Sequence, residues 1–165
     1  MIHKISAAHL TIEEVGAILE NHATLELSDD ARQRIVRCRK YLDKKIAESD
    51  VPIYGVTTGF GSLCNVSVDK DRLAQLQVNL IMSHACGVGS RVPNDIVKIM
   101  LFLKAQSLSY GYSGCQVETV ERLIDFFNND VYPVVYTQGS LGASGDLVPL
   151  AHLCLPLLGM GEVEY

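Results

Sequence analysis

Residues 139–152 read Gly139-Ser140-Leu141-Gly142-Ala143-Ser144-Gly145-Asp146-Leu147-Val148-Pro149-Leu150-Ala151-His152. Three glycines within seven residues remove the Cβ atoms that keep backbone segments apart. An acid and a long apolar run follow. Ser144 has three chemical uses here: it can cap a helix, act as a nucleophile, or be consumed in backbone chemistry. The nucleophile reading meets two obstacles. A hydrolase elbow needs G-x-S-x-G, and the fifth residue here is Asp146. The elbow also needs a preceding strand in a parallel sheet, and the chain lacks alternating β/α units. As a cap, Ser144 would open a helix with Asp146 in its first turn and Pro149 near its start. That reading leaves Gly142 and Gly145, on either side of the Ala143-Ser144 pair, without a purpose.

Working outward, helical signals dominate. The helix after Ser144 or Gly145 is expected to run through the apolar stretch to about Gly159. Thr11 and Glu14 form a capping box, with Ile12, Val15, Ile18 and Leu19 on one face. Ser28 can cap a second helix, with Asp29 and Asp30 in its positive first turn. The stripe of that helix is Ala31, Ile35, Cys38, Leu42 and Ile46, a helical period. A third helix is expected from about Asp69 to Gly87, with Leu73, Leu76, Leu80 and Ile81 inward. A fourth starts at Pro93 and is apolar almost all round from Ile96 to Leu103, so it should be central and buried. A fifth carries Val117, Val120, Ile124 and Phe127. Residues 51–68, with Pro52, Gly55, Gly59 and Gly61, read as an irregular loop, and Pro133 to Gln138 as extended. The expected fold class is mainly α, interrupted by two glycine-rich loops.

Composition narrows the function classes. At 48% hydrophobic and 20% charged, the 165 residues can bury a core as one domain. Net charge is −5. The densest basic cluster, Arg32 to Lys45, is interleaved with Asp29, Asp30, Asp43 and Glu48, which reads as a solvated helix face and not a nucleic-acid patch. Five cysteines at wide spacing form no CxxC pair and no Cys/His cluster, so neither a zinc site nor a disulfide framework is indicated. Buried free thiols in a reducing cytoplasm are the expectation. Met1 to Leu10 has no apolar core of signal-peptide length, and the run Leu147 to Leu158 is too short to span a bilayer. Gly55, Gly59 and Gly61 fit neither the Walker nor the dinucleotide spacing.

Three segments taken together carry a resemblance. They are Tyr54-Gly55-Val56-Thr57-Thr58-Gly59-Phe60-Gly61, Asn79-Leu80-Ile81-Met82-Ser83-His84-Ala85-Cys86-Gly87-Val88-Gly89, and Ala143-Ser144-Gly145-Asp146. Their order and separation resemble the N-terminal part of the aromatic amino-acid ammonia-lyases, the histidine-specific members most closely. The resemblance runs from about Ser28 to the chain end and includes Leu108 to Gly114 and Asp130 to Pro133. It implies the helical N-terminal domain of the ammonia-lyase fold, residues 1–165 forming one domain of a longer enzyme. The C-terminal part of the central helical bundle would lie beyond Tyr165.

The resemblance also implies chemistry. Ala143-Ser144-Gly145 would cyclise, the nitrogen of Gly145 attacking the carbonyl carbon of Ala143. Loss of two waters leaves 4-methylidene-imidazole-5-one, an internal electrophile that ordinary side chains do not supply, with no external cofactor and no metal. The small residues would spare the ring a steric obstacle, and a helix starting at Ser144 would place its dipole at the ring. Tyr54 matches the base that takes a β-proton from the substrate. An unperturbed phenol ionises near ~10, so that role needs a positive charge or a donor nearby. His84 matches a residue that contacts the substrate side chain, and Asp146 one that assists cyclisation. Gly55, Thr58, Gly59, Phe60 and Gly61 belong to the loop that would fold over the ring.

The implied function is elimination of ammonia from L-histidine to give urocanate in a cytoplasmic homotetramer. A small amino acid would be the partner, with neither nucleic acid nor membrane. Thr57 stands where histidine-specific members often have Asn, and where phenylalanine and tyrosine enzymes commonly have Thr. A tyrosine or phenylalanine ammonia-lyase or aminomutase therefore stays open, as does an inactive truncated domain with an uncyclised tripeptide. His152 has no clear match and is expected to pack in the buried helix.

Overall fold

Apolar spacing and local caps account for most of the helices. A computed structural model describes residues 1–143 and 145–165. Ser144, and with it the expected cap at that position, lies outside the described residues. In chain order the elements are β1 (Ile2–Ile5), α1 (Ile12–Glu20), β2 (Thr24–Leu27), α2 (Asp29–Glu48), α3 (Leu73–His84), β3 (Val88–Arg91), α4 (Asn94–Ser109), α5 (Val117–Asn128), β4 (Tyr132–Pro133), β5 (Tyr136–Gln138), α6 (Val148–Cys154) and β6 (Val163–Glu164). Short 3-10 turns occupy Gly61–Leu63, Lys70–Arg72 and Leu155–Leu158. The chain is mainly α, as its sequence predicts. It divides into two compact units: Met1–Lys44 with Asn94–Tyr132 and Tyr165, and Lys45–Pro93 with Pro133–Glu164.

In the first unit, α4 packs on α5. Leu101, Phe102, Val120, Leu123 and Phe127 form the centre, each at most 3% exposed. Burying each such side chain stabilises the fold by about 1.5–3 kcal/mol. The predicted stripe of α5 is buried throughout. On α4 the expectation of all-round burial fails: Val97, Leu101 and Phe102 are buried, but Ile96 is 44% and Leu103 46% exposed. Only one side of that helix meets α5 and β1.

The Thr11–Glu14 capping box forms, with Glu14 N–H donating to Thr11 Oγ1 and Thr11 N–H to Glu14. Ser28 Oγ accepts from Ala31 N–H at 3.2 Å at the start of α2. The stripe of α2 is buried at Ala31 and Ile35 and half-buried beyond. The basic cluster forms ion pairs: Arg32 with Glu121, Arg34 with Asp30, and Arg39 with Asp43.

Sequence patterning gave no sign of β1 and β2, which pair in parallel with Ile2 opposite Thr24 and Ile5 opposite Leu27. Ile5 and Leu25 are buried, and α1 lies within the connection that a parallel pair requires. The Asn128 side chain closes this edge, accepting from Leu25 N–H and donating to Leu25 C=O at 2.8 and 2.9 Å.

In the second unit, α3 packs on α6. Strands β3 and β5 pair antiparallel, with an irregularity between Val88 and Arg91. Arg91 reaches Glu162 and Glu164 at 2.9 and 2.6 Å, and Val134 N–H donates to Glu162 C=O.

Helix α6 starts at Val148, not at Ser144 or Gly145 as predicted. Gly145 has φ +87°, which no right-handed helix accommodates. Asp146 Oδ1 takes the N–H of Val148, so the side-chain acceptor near the helix start belongs to that acid. The thiols also depart from expectation: Cys86 is exposed and the other four are half-buried.

Candidate active site

Three segments of the second unit converge on one cavity of about 500 Å³. Tyr54, Phe60 and Gly61 form one wall, His84 another, and residues 140–143 with Gly145 and Leu147 the third. Sequence reasoning alone gave no distance between these segments.

The Tyr54 segment is a loop fastened to α3. Gln77 donates through Nε2 to the carbonyls of Gly55 and Val56, at 3.1 and 3.4 Å. Thr58 is fully buried; its hydroxyl accepts from Gly55 N–H and donates to Gly59 C=O. Gly55, Thr58 and Gly59 thus hold the loop without lining the cavity, whereas Phe60 and Gly61 line it. Gly61 N–H donates to the Tyr54 hydroxyl oxygen at 3.3 Å, a backbone donor of the kind a phenolate requires. Phe60 stands between the two candidate functional rings, 5.5 Å from Tyr54 and 5.7 Å from His84 between centroids.

His84 closes the last turn of α3. Its Nδ1 lies 2.7 Å from Leu80 C=O and 3.1 Å from Ser83 Oγ. A carbonyl only accepts, so in the neutral ring Nδ1 carries the proton and Nε2 keeps its lone pair. Thr57, by contrast, lines a separate hollow of about 250 Å³ with Asp69 and Lys70, and its Oγ1 accepts from Ile53 N–H. The side chain that departs from the histidine-specific pattern lines that hollow and is not among the residues lining the cavity.

The third wall is a closed turn. Gly145 N–H donates to Gly142 C=O at 3.1 Å, and Gly142 N–H donates back at 3.4 Å. Among the described residues beyond its chain neighbours, a Cβ on Gly145 would meet nothing within 4 Å, and one on Gly142 only the Gly145 oxygen at 3.9 Å. What demands glycine at 145 is its φ of +87°. Asp146 lies outside the cavity lining; its Oδ1 accepts from Ser140 N–H and Val148 N–H and so ties both ends of the turn together. Helix α6 begins three residues beyond Gly145 and so does not start at the tripeptide as predicted. Ser144, the middle residue of the tripeptide, lies outside the described residues. Among the described residues, no group of three or more His, Cys, Asp or Glu side chains could hold a metal ion.

A family model described as aromatic amino acid lyase matches residues 10–165. The chain belongs to the aromatic amino acid lyase family. It is 53% identical over 156 residues to a histidine ammonia-lyase of Deinococcus radiodurans, covering 94% of this chain and 30% of that protein. Among solved structures it is similar to a histidine ammonia-lyase from Trypanosoma cruzi, with TM-score 0.85 and 35% identity over 99% of this chain and 30% of the other. It is also similar to a tyrosine aminomutase from Streptomyces globisporus, with TM-score 0.90 and 33% identity over 100% of this chain and 31% of the other. The chain thus spans about 30% of the length of the relatives it matches. Aromatic amino acid lyases use an electrophile derived from their own backbone. The turn fits such a group: it is closed, it holds Gly145 N–H on its inner side, and among the described residues no side chain beyond the chain neighbours lies within 4 Å of a Cβ placed on either glycine. Sequence reasoning missed Ser140, Leu141 and Leu147 in the lining and the Gln77 tether; none of these residues belongs to a motif of recognisable chemistry.

Proposed function

We propose that this chain forms the electrophile-bearing part of a histidine ammonia-lyase, which eliminates ammonia from L-histidine to give urocanate. The observation that carries the proposal is the convergence of Tyr54, His84 and the Gly142–Gly145 turn on one cavity. In the self-processing step, a bond forms between Gly145 N and the Ala143 carbonyl carbon. The Ala143 oxygen leaves as one water with the amide hydrogens of Gly145 and Ser144, the Ala143 carbon becoming doubly bonded to Ser144 N, and the Ser144 hydroxyl with its α-hydrogen leaves as a second. Asp146, by holding Ser140 and Val148, keeps the turn folded for that attack.

The resulting 4-methylidene-imidazole-5-one supplies an electron sink for the departing amine. Tyr54 takes the β-proton of the substrate through its hydroxyl oxygen, with the Gly61 N–H steadying the negative charge on it. His84, with Nδ1 engaged at Leu80, offers Nε2 as an acceptor. That acceptor matches a side chain bearing a donor, an imidazole N–H or a phenol O–H. Phenylalanine would leave it unpaired, a mismatch that costs about 1–3 kcal/mol in a desolvated site.

The enzyme is proposed to act as a cytoplasmic homotetramer. No helix among the described residues is long and apolar enough to cross a membrane. The substrate reading is tested by ammonia release from L-histidine, L-tyrosine and L-phenylalanine under identical conditions. Histidine is expected to be fastest and phenylalanine slowest; absence of turnover with histidine while tyrosine reacts would overturn the substrate assignment.

A further inference from the structure

His152 takes no part in the chemistry proposed above. It sits on α6, 8% exposed, with its ring edge-on to Tyr136 at 5.2 Å between centroids. Its Nε2 accepts from Gly87 N–H at 2.9 Å. Gly87 lies three residues beyond His84, where the chain leaves α3 for β3. Tyr136 lies on β5, which leads into the loop of the Gly142–Gly145 turn, and α6 is where the chain emerges from that loop. One imidazole therefore touches the segment that carries His84 and the segments on both sides of the turn.

The contact is close as well as polar. A Cβ on Gly87 would lie 3.0 Å from His152 Nε2 and 3.0 Å from Val148 Cγ1, so glycine is what allows the approach. Among the described residues, the hydrogen bonds of Asp146 fasten the loop to itself and to the start of α6. The His152–Gly87 bond instead joins the loop side of the cavity to the His84 side. A ring of the same size without an acceptor would leave the Gly87 N–H unpaired and remove that tie.

We infer that His152 is a positioning residue for the cavity: as a neutral imidazole accepting from Gly87, it sets the placement of His84 relative to the Gly142–Gly145 turn. The inference rests on reading that cavity as the lyase site.

The test compares His152→Phe, which keeps a ring against Tyr136 but has no acceptor, with His152→Gln, whose amide oxygen can accept. In the full chain, NMR follows exchange of the Gly87 amide and the ring nitrogen signals of His84, with the buried Thr58 as internal control. In His152→Phe, Gly87 exchange is expected to rise by about tenfold as its hydrogen bond is lost, and the His84 signals to move while Thr58 stays in place. His152→Gln is expected to restore both. Unchanged Gly87 exchange and His84 signals in a folded His152→Phe chain would overturn the inference. Should His152→Phe fail to fold, His152→Gln decides alone. Wild-type Gly87 protection and His84 signals support the inference, and a folded chain with fast Gly87 exchange and displaced His84 signals overturns it. Ring formation in the wild-type chain is read separately by mass, so failure of the lyase reading and failure of this one give different results.

Discussion

At the scale of single residues, His152 and Tyr54 make claims that can be measured. Burial holds His152 below the ordinary imidazole value, and burial does the same for His3, opposed there by Glu14. The unfolded chain therefore binds these protons more readily than the folded one. Their contribution to stability is full above the ordinary imidazole pKa of about 6.5 and is lost as pH falls through it towards the folded values. The urea midpoint is expected to drop between about pH 7 and about pH 5, and to drop less in His152→Gln. A midpoint independent of pH over that range would contradict this. At lower pH, Asp43 and Asp130, held low by their hydrogen bonds from Arg39 and Lys98, act in the same direction. Tyr54→Phe removes the proposed base without disturbing the Phe60 contact. It is expected to lower ammonia release by about 10²-fold or more while leaving ring formation intact. Near-wild-type turnover would remove Tyr54 from the proposed chemistry.

At the scale of elements, α4 separates packing from composition. Leu101 is fully buried and Leu103, two positions on, is 46% exposed. Leu101→Ala is expected to cost about 2–5 kcal/mol in chemical denaturation, and Leu103→Ala less than about 1 kcal/mol. Equal costs would mean that both faces of the helix are covered. The apolar run of α4 does not itself say which side is covered, because that depends on where α5 and β1 lie. The caps at Thr11 and Ser28 were legible because each is settled within four residues. The start of α6 was not, since it depends on the positive φ of Gly145 and on Asp146 reaching both Ser140 and Val148. Strands β1 and β2 escaped detection because each has four residues, too few for alternation to stand out. The members of the site were legible only through the resemblance. No spacing rule brings Tyr54, His84 and Gly145 together. Their convergence is made by the Gln77 tether, the β3–β5 pairing and the α3–α6 packing.

At the scale of the whole molecule, Leu141 is 96% exposed, Leu103 46%, Ile96 44% and Leu150 40%. Ile99, on the same helix as Ile96 and Leu103, is half-buried. Large apolar side chains left in water favour association. Light scattering is expected to report a mass above that of one 18.1 kDa chain at micromolar concentration, and a strictly monomeric chain would count against a homo-oligomer. The central claim, however, is covalent: the closed Gly142–Gly145 turn is the precursor of an electrophile. The measurement that tests it most directly is the intact mass of the purified chain beside Ser144→Ala and Gly145→Ala. The wild-type chain is expected to weigh two waters less than its sequence, and both variants their full sequence mass. A wild-type chain at full mass would contradict the account.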